Sequence, residues 1–150
     1  YQVRSALSAG IVLNLEEFGL RDCQDEDFPW DWFAKTIGEV KRVSRYFLGD
    51  YYPLTPGVVS PDVWLAYQLL DPNEQAGAVV AFRRAESPMT AASFALYDLL
   101  KDGMYEFEDA DTGKTWQSSG LELMTVGLAI SMDKPRSSRL LFYRLIEDSE

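Results

Sequence analysis

The side chains able to do chemistry in this 150-residue sequence are mostly carboxylates: it holds 24 Asp and Glu residues, a single cysteine and no histidine. Without imidazole, Ser-His-Asp and Cys-His catalysis are excluded, together with nearly all catalytic zinc sites. The lone Cys23 cannot form a CxxC pair, and neither the phosphate cradle GxxxxGK followed by Ser or Thr nor the dinucleotide motif GxGxxG occurs. No residue is therefore assigned as a catalytic group, a metal ligand or a cofactor contact. What remains to be weighed is carboxylate chemistry.

Three acidic groupings have the spacing for it. Glu106 and Glu108 alternate with Tyr105 and Phe107, so on a strand they share one face about 6.6 Å apart. Two carboxyl groups at such a separation can hydrolyse a glycosidic bond, although a polar outer face opposite an aromatic inner face is the plainer reading. Asp109-Ala-Asp-Thr-Gly113 begins like a calcium loop, but it lacks the third oxygen ligand and has Gly120 where the bidentate glutamate belongs, so a hairpin turn is expected. Glu16 and Glu17 follow an apolar run at its carboxyl end, where α/β folds place their sites. They are the substrate-binding candidates, and only within a larger parent protein. Among aromatics, Tyr51, Tyr52, Trp64, Tyr67 and Trp116 are the types that stack on sugars, core packing being their commoner use.

The elements that must position these groups can be read in order. Val3, Ala6 and Leu7 suit a short helix, and Gly10-Ile-Val-Leu-Asn-Leu15 reads as a strand buried on both faces, the kind a parallel sheet encloses. An acidic connector, Glu16 to Asp27, follows. From Phe28 to Phe47 the period becomes helical: Trp30, Phe33, Ile37, Val40 and Phe47 fall on one stripe, with Asp31, Lys35, Glu39 and Arg42 elsewhere. A helix that apolar must pack on the rest of the chain or on a neighbour.

Beyond Pro56-Gly57 the segments are short and divided by turns every 8 to 14 residues or so, as in sandwiches and barrels. Strands are predicted near Val63 to Leu70, Ala78 to Arg84, Ala92 to Leu99, Met104 to Asp109, Thr115 to Ser118, Gly127 to Met132 and Arg139 to Ile146. Asp102-Gly103 and Asp111-Thr-Gly113 are expected to supply the positive φ of tight hairpins, and Lys134-Pro-Arg136 to end a strand. Trp64, Ala66, Val80, Phe82, Phe94, Leu96, Tyr105, Phe107, Leu141 and Tyr143 are the expected inward positions.

Composition sets the class. A chain that is 47% hydrophobic and 25% charged is typical of one soluble domain, and 150 residues can bury a substantial core without metal or disulfide. A net charge of −10 repels phosphate backbones and anionic membranes, so neither nucleic acid nor membrane is expected as a partner. No apolar run is long enough for a membrane span and no signal-peptide pattern opens the chain; with one cysteine, a cytoplasmic setting is slightly favoured. A first residue that is Tyr1 rather than Met suggests a piece of a longer polypeptide.

The motifs Tyr1-Gln-Val-Arg-Ser-Ala-Leu-Ser-Ala-Gly10, Leu13-Asn14, Phe47-Leu-Gly-Asp-Tyr-Tyr-Pro-Leu-Thr55, Trp64-Leu-Ala-Tyr-Gln68, Gly77-Ala-Val-Val-Ala-Phe-Arg-Arg84, Tyr105-Glu106 and Asp109-Ala-Asp-Thr-Gly113 bear a resemblance. In order and spacing the chain resembles, over nearly its whole length, the carboxyl-terminal part of family 36 glycoside hydrolases, the α-galactosidase or melibiase group. The resemblance implies that residues 1–47 are the last strand and last helix of a (β/α)8 barrel, and that residues 48–150 form an antiparallel β-sandwich of Greek-key type. It also implies a retaining mechanism in the parent enzyme, with both catalytic aspartates upstream of this chain. Where many relatives follow Leu13-Asn14 with an aromatic residue and Asp, this sequence has Leu15-Glu-Glu17, so a sugar contact there is not directly inherited.

Three functions then compete: a noncatalytic domain that braces an upstream barrel or supports homo-oligomers, a carbohydrate-binding sandwich in its own right, and a small enzyme using Glu106 and Glu108. The first is preferred, because an orphan parallel-type strand and a greasy helix both call for a neighbour.

Overall fold

The computed structural model describes residues 1–10, 28–57 and 60–146. The predicted strand from Gly10 to Leu15, the acidic connector, Cys23 and the candidates Glu16 and Glu17 lie outside the described residues, apart from Gly10 itself.

Strand β3 (Ala76–Arg83) shows how the layers are arranged, because each of its eight residues is buried. Alternate side chains leave a strand on opposite faces, so burial at every position requires a layer on each side of the sheet. The sheet is six-stranded, in the order β1-β2-β3-β8-β5-β6, with antiparallel pairing throughout. Its other strands are β1 (Asp50–Pro53), β2 (Trp64–Asp71), β5 (Met104–Asp109), β6 (Thr115–Ser119) and β8 (Ser137–Ile146). Strand β8 returns late in the chain to lie between β3 and β5. A second sheet, β4 (Ala91–Phe94) with β7 (Leu128–Ser131), completes a β-sandwich.

Between the sheets pack Trp64, Ala66, Val79, Ala81, Phe94, Leu96, Tyr105, Phe107, Ile130, Leu141 and Tyr143. On the other face, Leu69, Ala78, Val80, Phe82, Leu140 and Phe142 pack against Val43 and Tyr46. Val43 belongs to helix α2 (Trp30–Ser44), and Tyr46 to the tight 3-10 turn Arg45–Leu48 that ends it. Burying side chains of this size contributes about 1.5–3 kcal/mol each. All ten expected inward residues are buried, but Val80 and Phe82 face the helix while the other eight pack between the two sheets. The helix thus stands in as the third layer.

The strand predictions from β2 onward hold to within a few residues, except that β4 stops at Phe94. Beyond it Leu96 N–H donates to the Leu123 carbonyl and Asp98 takes a positive φ of 53°, which ends the extended run. Two elements were not anticipated. Strand β1 is four residues of Asp-Tyr-Tyr-Pro at a sheet edge, and helix α3 (Gly120–Thr125) opens at Ser119, whose hydroxyl accepts the Glu122 N–H at 3.2 Å.

One turn expectation fails. Asp102-Gly103 makes no hairpin, since β5 pairs with β6 and β8, and Gly103 is not at positive φ. A Cβ there would sit 2.6 Å from Leu145 Cδ1, so glycine serves close packing at this point. Gly113 does occupy the left-handed region, at φ 69°, in the β5–β6 hairpin. A short helix α1 (Gln2–Ser5) precedes all of this and places Arg4 against the sheet.

Candidate functional site

Helix α2 carries two apolar faces. Val43 turns to the sheet and is buried, as is Tyr46 in the following turn, and Val40 is buried one turn before them. At 100° per residue, Phe33, Ile37 and Trp30 lie on a neighbouring flank. With Asp31, Ala34, Gly38 and Lys41 they line an open groove of about 570 Å³ whose lining, among the described residues, comes from α2. Phe28, Trp30 and Phe33 meet edge to face, with ring centroids 4.6, 5.5 and 6.1 Å apart. The single stripe expected from the sequence is therefore divided: Phe47 packs with the sheet and Val40 is buried, whereas Phe33 and Ile37 remain half-buried.

The carboxylate groupings resolve into arginine pairs. Glu106 and Glu108 do share a face of β5, opposite buried Tyr105 and Phe107. Glu108 accepts two hydrogen bonds from Arg42 of α2, at 2.7 and 2.6 Å, and the Arg42 guanidinium lies 3.7 Å over the Phe142 ring. Glu106 accepts two from its cross-strand partner Arg144, at 3.1 and 2.6 Å. The hydrogen bond from Arg42 holds the Glu108 carboxyl below the usual glutamate range. A glycosidase acid needs the opposite shift, toward a protonated group at neutral pH. This face works as ion-paired cover joining helix to sheet.

The turn after β5 is built the same way. One Asp109 oxygen accepts the Asp111 and Thr112 N–H groups at 2.8 and 3.1 Å, and the other pairs with Arg139. Asp111 accepts from Arg4 at 2.9 and 2.7 Å, while Arg4 also donates to Glu39 of α2 and, at 3.2 Å, to the Ser138 carbonyl. Burial, the largest single influence, would raise the Asp111 pKa, but the Arg4 hydrogen bond together with the charges of Arg4, Arg139 and Lys35 outweighs it and the carboxyl titrates below the usual range. The acids of the turn are thus engaged by arginines. Among the described residues, no group of three or more His, Cys, Asp or Glu side chains could hold a metal.

The five candidate aromatics do not form one platform. Trp64 is buried and donates from Nε1 to the Met89 carbonyl at 3.0 Å. Tyr51 leans on Tyr67 on one face of the sheet edge, whereas Tyr52 stacks on Tyr97 at 5.5 Å and 18° on the other. Trp116 stacks on Phe107 at 5.4 Å and 15°. The residues that sequence reasoning missed are Arg4, Arg42, Arg139 and Arg144, whose partners lie 30 to 107 residues away. No local spacing signals such a pair.

Comparison with solved structures matches this fold to the carboxyl-terminal region of α-galactosidases. The α-galactosidase from Lactobacillus brevis matches with a TM-score of 0.62 at 16% identity, over 83% of this chain and 18% of that one. The GH36 α-galactosidase AgaB from Geobacillus stearothermophilus gives a TM-score of 0.60 at 20% identity, over 77% of this chain and 16% of the other. The galactosidase domain of the α-galactosidase-sucrose kinase AgaSK gives 0.64 at 16% identity, over 91% of this chain and 20% of that one. The chain thus spans about a fifth or less of the length of each protein, and identities this low establish a shared fold. No protein-family model and no curated protein matches the sequence.

Proposed function

We propose that this chain is the noncatalytic carboxyl-terminal domain of an α-galactosidase-like glycoside hydrolase, bracing the catalytic barrel. The observation that carries the reading is the fold shared with three α-galactosidases over 77–91% of this chain but only 16–20% of theirs. In it, residues 1–47 are the last strand and helix of a (β/α)8 barrel and residues 48–150 the sandwich that follows. The second apolar flank of α2, around Phe33 and Ile37, supports it, because a groove lined by apolar side chains is a natural seat for a neighbouring helix. The Arg4 bonds to Glu39 and Asp111 support it too, since they tie the first helix, α2 and the sandwich together.

In this reading the parent enzyme hydrolyses α-galactosides with retention of configuration, using aspartates upstream of Tyr1. The bracing role extends to homo-oligomers if the same flank meets a second subunit. The test is an assay of the purified chain beside the full-length parent with an aryl α-galactoside. The parent is expected to turn it over and the chain to leave it untouched; turnover by the chain alone overturns the proposal.

A further inference from the structure

Strand β6 is the last strand of the large sheet and β7 belongs to the small one, so among the described residues no strand joins the two layers on this side. The gap is a cleft of about 320 Å³, at the lower end of the range of roughly 300–1,000 Å³ in which small ligands bind. Trp116, Ile130 and Leu141 give it an apolar wall, and Thr112, Lys114 and Arg139 lie around that wall. Trp116 is half-buried, and its ring stacks on Phe107. That contact orients the indole while using one of its two faces.

The polar groups have hydrogen-bonding capacity to spare. Arg139 commits one N–H, to Asp109, of the five that a guanidinium carries. Among the described residues the Lys114 ammonium makes no hydrogen bond or ion pair. The Thr112 hydroxyl accepts the Lys114 backbone N–H at 3.3 Å and retains its own proton to donate. An indole face beside unspent donors suits a ligand with one flat C–H face and a rim of oxygens.

We propose that this cleft binds a pyranose unit of a glycan, stacked on Trp116 with its hydroxyls meeting Lys114, Arg139 and Thr112. The cleft takes a single ring rather than an extended chain, and the protein's net charge of −10 disfavours phosphorylated ligands of similar size. This site goes beyond the bracing role: it stands whether or not the parent enzyme acts on α-galactosides.

The test is a titration of the ¹⁵N-labelled chain with D-galactose, D-glucose and D-galacturonate, following the Trp116 indole N–H, which is assigned by its loss in Trp116→Phe. A saturable shift with a dissociation constant in the millimolar range is expected from at least one sugar. Lys114→Ala should weaken it about tenfold, the worth of a hydrogen bond to a charged donor, with the remaining spectrum unchanged. An indole signal that stays still at tens of millimolar of every sugar overturns the proposal. So does a shift that Lys114→Ala does not alter, or one given equally by inorganic phosphate and abolished by salt.

Discussion

Arg4 and Asp111 stand 107 residues apart in the sequence, and their side chains meet at 2.7 Å. The guanidinium is buried, with 8% residue exposure, and reaches Glu39 at the same time. Burying a guanidinium is tolerable only when its donors are met, so each acid counts for more than a surface partner would. Replacing Asp111 by Asn removes the charge that faces Arg4 and is expected to destabilise the chain by about 1–3 kcal/mol. Urea unfolding at neutral pH measures it. The pH dependence has a defined sign: Asp111 titrates lower in the folded chain than in the unfolded one. Its stabilisation is complete above the ordinary aspartate value of about 4 and is lost as pH falls through the folded value. Asp111→Asn should therefore unfold with a shallower acid dependence than the parent chain; an unchanged acid limb would deny the Arg4 bond any role.

Gly77 lies at the centre of the large sheet, where a Cβ would collide with the Leu69 carbonyl oxygen and meet Tyr143 Oη at 2.5 Å. That hydroxyl donates to the same carbonyl at 2.8 Å and accepts from Gln68 Nε2 at 3.0 Å. Neither backbone nor buried phenol can move without breaking these bonds. Gly77→Ala is expected to cost about 3 kcal/mol, the upper part of the overpacking range. Thermal unfolding of the variant checks this, and a melting temperature equal to the parent's would mean that the sheet yields locally.

Much of the sandwich was legible because its signals are local. The period-2 run Met104 to Asp109 and the apolar run around Val79 each specify a strand from adjacent residues alone. The function of the acids was not legible, because Glu108 is defined by Arg42 and Glu106 by Arg144, each brought near only by the fold. Helix α2 shows both limits: its period predicted a helix, but the same period could not show that Val43 meets the sheet while Ile37 does not. The Ser119-Gly-Leu-Glu122 start of α3 carries the signature of a cap, but six residues leave too short a run for periodicity to mark the helix behind it.

Arg42 and Glu108 are both substantially exposed, with side-chain exposures of 46% and 38%, so their bidentate pair is a screened surface interaction. Glu108→Gln is expected to lower stability by less than about 1 kcal/mol, and the loss should shrink further in high salt. Any glycosidase activity of the full-length parent should survive Glu106→Gln combined with Glu108→Gln. Loss of turnover in that double variant, with folding intact by circular dichroism, would return these two glutamates to a catalytic role.

The Tyr52 hydroxyl donates to Asp98 at 2.6 Å, and this hydrogen bond, with a smaller contribution from burial, pushes its pKa up to about 12. Tyr67 rises to about 12 as well, through burial. Because both folded values exceed the ordinary tyrosine value, the stabilisation is present below about pH 10 and is lost as pH rises through the folded values. A spectrophotometric titration should show late-ionising phenols, and Asp98→Asn should bring one of them back toward the ordinary range while leaving Tyr67 late. If the profile is the same in both proteins, the Tyr52–Asp98 bond does not persist in solution.

Val43 and Ile37 give the most direct contrast for the two faces of α2. Val43 is fully buried among Val80, Leu140 and Phe142, and an aspartate there would carry an unpaired charge into the core. Val43→Asp is expected to cost more than about 4 kcal/mol and to leave the isolated chain largely unfolded. Ile37 lies on the open groove, half-buried at most, so Ile37→Asp should change the stability of the isolated chain by only about 1 kcal/mol. If the proposed brace is right, the order of effects should change in the full-length parent: a charge on this flank should loosen the domain against the barrel, seen as faster proteolytic release of the 150-residue piece and a lower melting temperature. If Ile37→Asp is as silent in the full-length enzyme as in the isolated chain, the flank does not face the barrel, and the brace must run through another surface.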